Sequence, residues 1–304
     1  MANPVMNSLE RTFDRTPAGY PTMPGYQPGQ HGQSTAAPDE LGARVTRGQS
    51  AAKQYQDFQQ LEEAYRAPAA DAVDQGRMTY DDVVMKTSIL FGILVAASAV
   101  SWILTMVNPG LGSMLMMGGA IGGFILAMVI IFKKTISPAT IMAYAVAEGV
   151  FLGSLSAIME YAYPGIVIQA VIATFAVVGT TLVLFATGRV RNTPKMQRMV
   201  LIGLIGLIVY NVLSMILSAT GVIASPWGIG SMTIMGIPIG IIVGVVAVIL
   251  GAMALIGDFD IAQKGVENGV PAVFAWRVAF GVMVTVIWLY VEILRLLAIL
   301  RGDN

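Results

Sequence analysis

The sequence predicts an all-α membrane protein, a bundle of seven transmembrane helices behind a disordered, low-complexity N-terminal tail. Three observations carry this prediction. Hydrophobic residues make up 56% of the 304 residues and charged residues only 12%, where a soluble domain carries about 25%. Apolar runs of about 20 residues or more, the length a helix needs to cross about 30 Å of hydrocarbon, recur along the last two-thirds of the chain. The breaks between those runs are short and hold turn residues, so consecutive helices are antiparallel neighbours.

The tail comes first. Residues 1–80 form a low-complexity segment in which Tyr20-Pro-Thr-Met-Pro-Gly-Tyr-Gln-Pro-Gly-Gln30 is rich in Pro, Gly and Gln. Such composition buries too little apolar surface to offset the entropy of ordering. Within it, Tyr55, Phe58, Leu61 and Tyr65 fall at helical spacing, so a short surface helix over Lys53–Arg66 competes with disorder. The opening MANPVMNSLERTF has no apolar core behind its charges and does not read as a signal peptide.

The membrane domain spans 81–304. Its predicted spans are Thr87–Val107, Leu111–Phe132, Pro138–Ile158, Gly165–Ala186, Met199–Ala219, Gly236–Gly257 and Ala275–Leu300. Asn108-Pro109-Gly110, Tyr163-Pro164-Gly165 and Ser225-Pro226-Trp227-Gly228 mark three of the breaks. Glycines at four-residue spacing (Gly118/Gly122, Gly119/Gly123, Gly149/Gly153 and Gly236/Gly240/Gly244) predict close helix packing. Gly112-Ser-Met-Leu-Met-Met-Gly118 and Gly230-Ser-Met-Thr-Ile-Met-Gly236 resemble one another at the start of two helices, a weak hint of internal repetition.

Orientation follows from the cations. Lys133 and Lys134, then Arg189, Arg191, Lys195 and Arg198, then Lys264 and Arg277 fall in loops on one side, joined by Arg66, Arg77 and Lys86 before the first span. Loops 108–110, 159–164 and 220–235 hold no Lys or Arg. Only Arg301 breaks the pattern. The tail is therefore expected in the cytoplasm and the C-terminus outside the cell membrane.

Several chemistries are excluded by composition. The chain has no Cys and a single His, His31, which lies in the tail. Thiol catalysis, disulfides, a His-based switch or a Ser-His-Asp triad within the spans are therefore ruled out. No H-E-x-x-H is possible and the spans hold no G-x-S-x-G, so an enzyme is not expected. The seventh span has no Lys for a retinal Schiff base. The net charge of zero gives no basis for binding nucleic acid.

What remains is a short list of ionisable residues in or at the ends of the spans: Glu148, Asp258, Asp260, Glu292 and Arg295. Each costs at least about 2.5–3.5 kcal/mol at the bilayer centre, so each needs a partner or a task. For Glu292 the bland alternative is a local pair with Arg295 at i+3. For Asp258 and Asp260 it is a solvated helix end, and for Glu148 a protonated carboxyl bonded to a neighbouring helix. Two carboxylates brought close in a low dielectric cannot both ionise easily, so a pair of them makes a pH sensor without histidine. Carboxylate oxygens also suit Ca²⁺.

Gly257-Asp-Phe-Asp-Ile-Ala-Gln263, then Trp288-Leu-Tyr-Val-Glu-Ile-Leu-Arg-Leu-Leu-Ala-Ile-Leu-Arg301, and Ala143-Tyr-Ala-Val-Ala-Glu-Gly-Val-Phe-Leu-Gly153 in the third span resemble the Bax inhibitor-1 (TMBIM/YccA-type) membrane proteins. The likeness covers residues 80–302, and the wording is most similar to the bacterial, actinobacterial branch. It implies a pH-sensitive calcium leak or cation channel, with Ca²⁺ and protons as its small partners and no cofactor. In that family a sixth-helix and a seventh-helix carboxylate share a proton and latch the pore, helped by a base at the end of the second helix. The matching positions are Asp260 and Glu292, with Lys133 or Lys134 as counter-charge. Asp258 and Glu148 are further candidates on the ion path, and Asp260 and Glu292 are the candidate Ca²⁺ ligands.

Four departures stand out: Glu292 where Asp is common, Lys at the second-helix base where Arg is frequent, Arg295 as an added counter-charge, and a long 260–292 segment. Some relatives are instead described as non-conducting proteins that regulate a membrane protease or a stress response, and that reading competes with the channel. The topology is directly testable. A reporter active only in the cytoplasm is expected to be active before residue 1 and silent after residue 304. Activity at the C-terminal fusion reverses the assignment.

Overall fold

The computed structural model describes residues 76–302 apart from Lys134, Ala224, Pro226 and Trp227. The tail to residue 75, with His31 and the 53–66 segment, lies outside the described residues. Seven helices long and apolar enough to cross a membrane follow one another: α1 (Tyr80–Val107), α2 (Pro109–Phe132), α3 (Pro138–Ala162), α4 (Ile166–Ala186), α5 (Pro194–Ala219), α6 (Ile239–Glu267) and α7 (Phe274–Gly302). A 3₁₀ turn (Gly228–Ser231) and a two-stranded hairpin, β1 (Thr233–Ile234) and β2 (Ile237–Pro238), link α5 to α6.

The helix starts follow local chemistry. α1 opens on a capping box: Thr79 Oγ1 accepts the Asp82 N–H at 3.1 Å, and Asp82 Oδ2 accepts the Thr79 N–H at 3.3 Å. That cap sits upstream of the apolar run, so the helix begins seven residues before the predicted span at Thr87. α2, α3 and α5 each place proline (Pro109, Pro138 and Pro194) in the first turn. There the missing N–H costs nothing, because it would have no intrahelical partner. Asn108 and Thr193 cap two of these starts through their side chains. α6 runs ten residues past the predicted end at Gly257. Charge marks where a helix leaves hydrocarbon, not where it stops.

The predicted boundary at residue 80 is corrected by backbone pairing. Met78 N donates to the Val270 carbonyl at 2.7 Å, and Ala272 N donates to the Gly76 carbonyl at 2.8 Å. Arg77 forms an antiparallel bridge with Pro271. Met78 is buried with Val83, Ala262 and Ala275. Residues 76–80 therefore belong to the bundle. Nearby, Lys86 is buried, its ammonium held by Asp82 at 3.0 Å and the Ala272 carbonyl at 2.8 Å.

α7 is the hub. It packs on α1, α3, α4 and α6, and its buried residues surround it on more than one side. α5 is the opposite case, with no buried residue, touching α6 and the 3₁₀ turn. Between these extremes, α1 and α3 meet along a seam of small and hydroxylated residues. Ser98 Oγ donates to the Gly149 carbonyl at 3.0 Å, Ser101 Oγ donates to the Val150 carbonyl at 2.8 Å, and Ser101 and Ser154 hydroxyls lie 2.6 Å apart. Close approach with interhelical hydrogen bonds is how helices associate where lipid removes the hydrophobic drive.

Only some of the glycine pairs serve this purpose. Gly149 and Gly153 face the backbone of α1, and Gly119 faces the backbone of α3. Gly240 and Gly244 meet Ile299 and Leu296 of α7. Gly118 faces open space, and Gly236 (φ 81°) sits with Met235 (φ 54°) at the hairpin turn, not in a helix. The likeness of 112–118 to 230–236 also stops at the letters, because the first segment is helical and the second forms the 3₁₀ turn and hairpin. A Cβ at Gly153 would run into the Ser98 carbonyl. Gly153→Ala is expected to cost about 1–3 kcal/mol through overpacking, read as a lower unfolding midpoint in detergent. Gly118→Ala should leave that midpoint within about 0.5 kcal/mol, as for sites that touch nothing.

Candidate functional site

The intramembrane carboxylates occupy separate places. Along the antiparallel α6–α7 pair, Gly244 lies against Leu296, Gly251 against Leu289 and Trp288, and Asp258 against Gly281 and Thr285. This register sets Glu292 level with Val248. From Val248 to Asp260 is about 18 Å at 1.5 Å per residue. The expected Asp260–Glu292 proton-sharing pair is therefore not formed, and these two residues do not make a joint Ca²⁺ site. Among the described residues no three acidic or histidine side chains converge as metal ligands.

Each carboxylate has its own neighbours. Asp260 Oδ2 accepts from Lys264 Nζ at 2.7 Å and from Asn192 Nδ2 at 3.0 Å. Lys264 lies one turn further along the same helix, while Asn192 comes from the loop between α4 and α5. Glu292 is buried and forms an ion pair with Arg295, the local pairing at i+3. The Arg295 guanidinium also donates to Asn211 Oδ1 of α5 at 3.1 Å. Among the described residues it is the one side-chain hydrogen bond between α7 and this loosely packed helix.

Asp258 differs from both. Its Oδ2 accepts the Thr285 hydroxyl of α7 at 2.6 Å. Gly281, one turn away, lies against the carboxylate, and a Cβ there would stand 3.4 Å from Oδ1, in ordinary contact. No cation among the described residues is within ion-pair distance of it. The reading of Asp258 as a solvated helix end is thus replaced by a half-buried carboxyl on the α6–α7 seam. Glu148 is likewise without a cation. It lies beside Tyr144, one turn back on α3, and against Gly123 of α2. Tyr144 in turn packs edge-on against Phe280 of α7, with ring centroids 5.0 Å apart.

The expected counter-charges are also reassigned. Lys133 ends α2, and its carbonyl accepts from Arg277 of α7 at 3.0 Å. Its ammonium pairs with neither Asp260 nor Glu292, whose cations are Lys264 and Arg295. Lys134 lies outside the described residues. Sequence spacing could have found Lys264, which stands at i+4 from Asp260. Thr285 and Asn192 carry no local signal, because each reaches its carboxylate from a different element.

At the far end of the bundle, the exception to the charge pattern is explained. Arg301 donates to the Pro164 carbonyl at 2.8 Å and to Gln169 Oε1 at 3.0 Å. Glu160 accepts the N–H groups of Gly165 and Val167 at 2.6 and 3.1 Å, which caps α4. Arg301 is thus consumed in fastening one turn.

Seven apolar helices with carboxylates sealed between them define a multi-pass membrane protein. The Bax inhibitor 1 like family model matches residues 5–302, and the chain belongs to that family. A search of curated proteins gave no match.

The Glu292–Arg295 pair makes a clear prediction. Arg295→Leu strands a buried carboxylate and removes one tie to α5, and is expected to cost about 3 kcal/mol, the low end for breaking a buried pair. Glu292→Leu combined with Arg295→Leu should recover most of that loss. Unfolding midpoints in detergent measure both, and a single variant as stable as the parent shows that the pair contributes nothing.

Proposed function

We propose that this Bax inhibitor-1-like protein is a cation leak, with Ca²⁺ as the permeant ion and a pH-dependent gate, held closed in this conformation. One observation carries the reading: Asp258 sits on the seam between α6 and α7 bonded to a neutral hydroxyl, whereas Asp260 and Glu292 are each matched by a cation. A membrane carboxyl without a counter-charge is costly to keep unless it has a task. The gate proposed here is therefore centred on Asp258 and Thr285.

Its sign follows from charge. While Asp258 holds a proton, the hydrogen bond to Thr285 joins the two helices and no net charge lies in the seam. Losing the proton leaves a negative charge that one hydroxyl offsets only in part, in a medium that screens poorly. Water or a hard cation then relieves it, and a carboxylate oxygen is a suitable Ca²⁺ ligand. Flux should rise as pH rises through the transition.

We further assign the end that holds Lys133, Arg189, Arg191, Lys195, Arg198, Lys264 and Arg277 to the cytoplasm and the Arg301 end to the outside of the plasma membrane. Antiparallel order supports this, because the starts of α1, α3, α5 and α7 and the ends of α2, α4 and α6 share one side.

The test is Ca²⁺ flux into proteoliposomes over a pH series. Asp258→Asn keeps shape and hydrogen bonding without titration, so flux should stay low at every pH, with at least about a tenfold loss where the parent is open, equal to about 1.4 kcal/mol. Asp260→Asn should keep the parental profile. A parental profile in Asp258→Asn removes Asp258 from the gate, and no flux from the parent at any pH leaves the non-conducting regulatory reading.

A further inference from the structure

The loop between α4 and α5 carries an unbalanced charge. Arg189, Arg191, Lys195 and Arg198 fall within ten residues, and no Asp or Glu occurs between Glu160 and Asp258. All four side chains belong to exposed residues, and among the described residues none forms an ion pair. Asp260, the one carboxylate bonded to this loop, meets it through the neutral Asn192 and is already matched by Lys264.

The loop is also held in place. Gly188 (φ 70°) closes α4 with its N–H on the Phe185 carbonyl at 2.9 Å, and the Val190 N–H returns to the Leu184 carbonyl at 3.3 Å. The Arg191 guanidinium folds over Gly188, with Nη2 3.3 Å from where a Cβ would stand. Asn192 then fastens the loop to α6, and Thr193 caps α5 through the Met196 N–H at 3.2 Å. The cations are thus presented from an ordered turn.

What lies below them identifies the partner. α5 has no buried residue, and Lys195 and Arg198 continue at helical spacing into Met199, Ile202 and Val209, each more than half exposed. On α4, exposed Phe175 and Val183 lead up to Arg189 in the same way. A cationic cluster above two lipid-facing apolar stripes matches a molecule with an anionic head and long apolar tails. We propose that Arg191, Lys195 and Arg198 bind the phosphate headgroup of an anionic phospholipid whose acyl chains lie along α4 and α5. A soluble phosphate would use the cations and leave the stripes idle. Basic residues at a membrane surface favour anionic lipid by electrostatics that fall off within a Debye length.

The absence of cysteine makes the test clean, because a single introduced thiol can be labelled uniquely. Gln197→Cys puts a fluorophore among the cations, and Thr220→Cys puts one at the opposite end of α5. Full-length protein is reconstituted with brominated phosphatidylglycerol or brominated phosphatidylcholine of the same acyl chains, and quenching is compared per lipid. At position 197 the anionic lipid should quench at least about threefold more efficiently, and at 220 the two should be equal. The combination R191Q/K195Q/R198Q should bring position 197 to equality, while R191K/R198K keeps the preference. Excess inorganic phosphate at constant ionic strength should not displace the lipid. Equal quenching at 197 in the parent, or a preference that survives the glutamine variant, overturns the proposal. Loss of the preference to inorganic phosphate overturns it too, in favour of a soluble phosphate site.

Discussion

Hydrocarbon supplies no hydrogen-bond partner, and the placement of the buried hydroxyls and of the Glu292–Arg295 pair answers to that absence. Ser101, Thr105, Ser154, Thr174 and Thr181 are buried, and each bonds a helix carbonyl or another hydroxyl. Glu292 carries its own cation one turn away. Where charge is frequent, at the helix ends, the same rule is met by loops: Ala272 for Lys86, Lys133 for Arg277, Tyr163 and Pro164 for Arg301. The bundle is therefore fastened at its ends by cations on carbonyls and within its span by hydroxyls.

This constraint also accounts for the unequal roles of the helices. α3 is approached closely on two sides, by α1 across its own Gly149 and Gly153 and by α2 through Gly119 of that helix. α7 carries bulky apolar residues around much of its circumference and sits among four neighbours. α5 offers neither a small-residue face nor a hydroxyl seam to the bundle. It is tied by Ser214 to the 3₁₀ turn, by Gly203 beneath Leu250 and by Arg295 at Asn211. Among the seven, α5 is the helix least embedded in the bundle.

The carboxylates show how one register decides chemistry. On α6, Asp258 and Asp260 are two residues apart and point about 200° from each other around the helix, at about 100° per residue. One therefore enters the seam with α7 and meets Thr285, while the other turns to the α4–α5 loop and meets Asn192. Neither reaches the depth of Glu292. Keeping the carboxylates apart gives each its own balance of charge, and it leaves Asp258 without a cation.

The linear sequence by itself determined the class and the course of the chain: seven spans, their turns, the basic side, and family membership through the 257–263 and 288–301 motifs. These are local properties. Span length is set by bilayer thickness, turns by Pro and Gly, and the Asp260–Lys264 and Glu292–Arg295 pairs by one helical turn. The same locality explains the misplaced boundary at residue 80, because the strand-like pairing of 76–78 with 270–272 joins the two ends of the bundle's chain. Only the tertiary structure decided which carboxylates meet which partners. Asp258–Thr285, Asp260–Asn192 and Arg295–Asn211 join residues 27, 68 and 84 positions apart. Such contacts depend on the axial register of antiparallel helices, where a slide of one turn moves a side chain by about 5.4 Å and exchanges every partner. No composition or spacing encodes that slide. It is set by glycines such as Gly240, Gly244 and Gly251 accepting particular side chains from the facing helix.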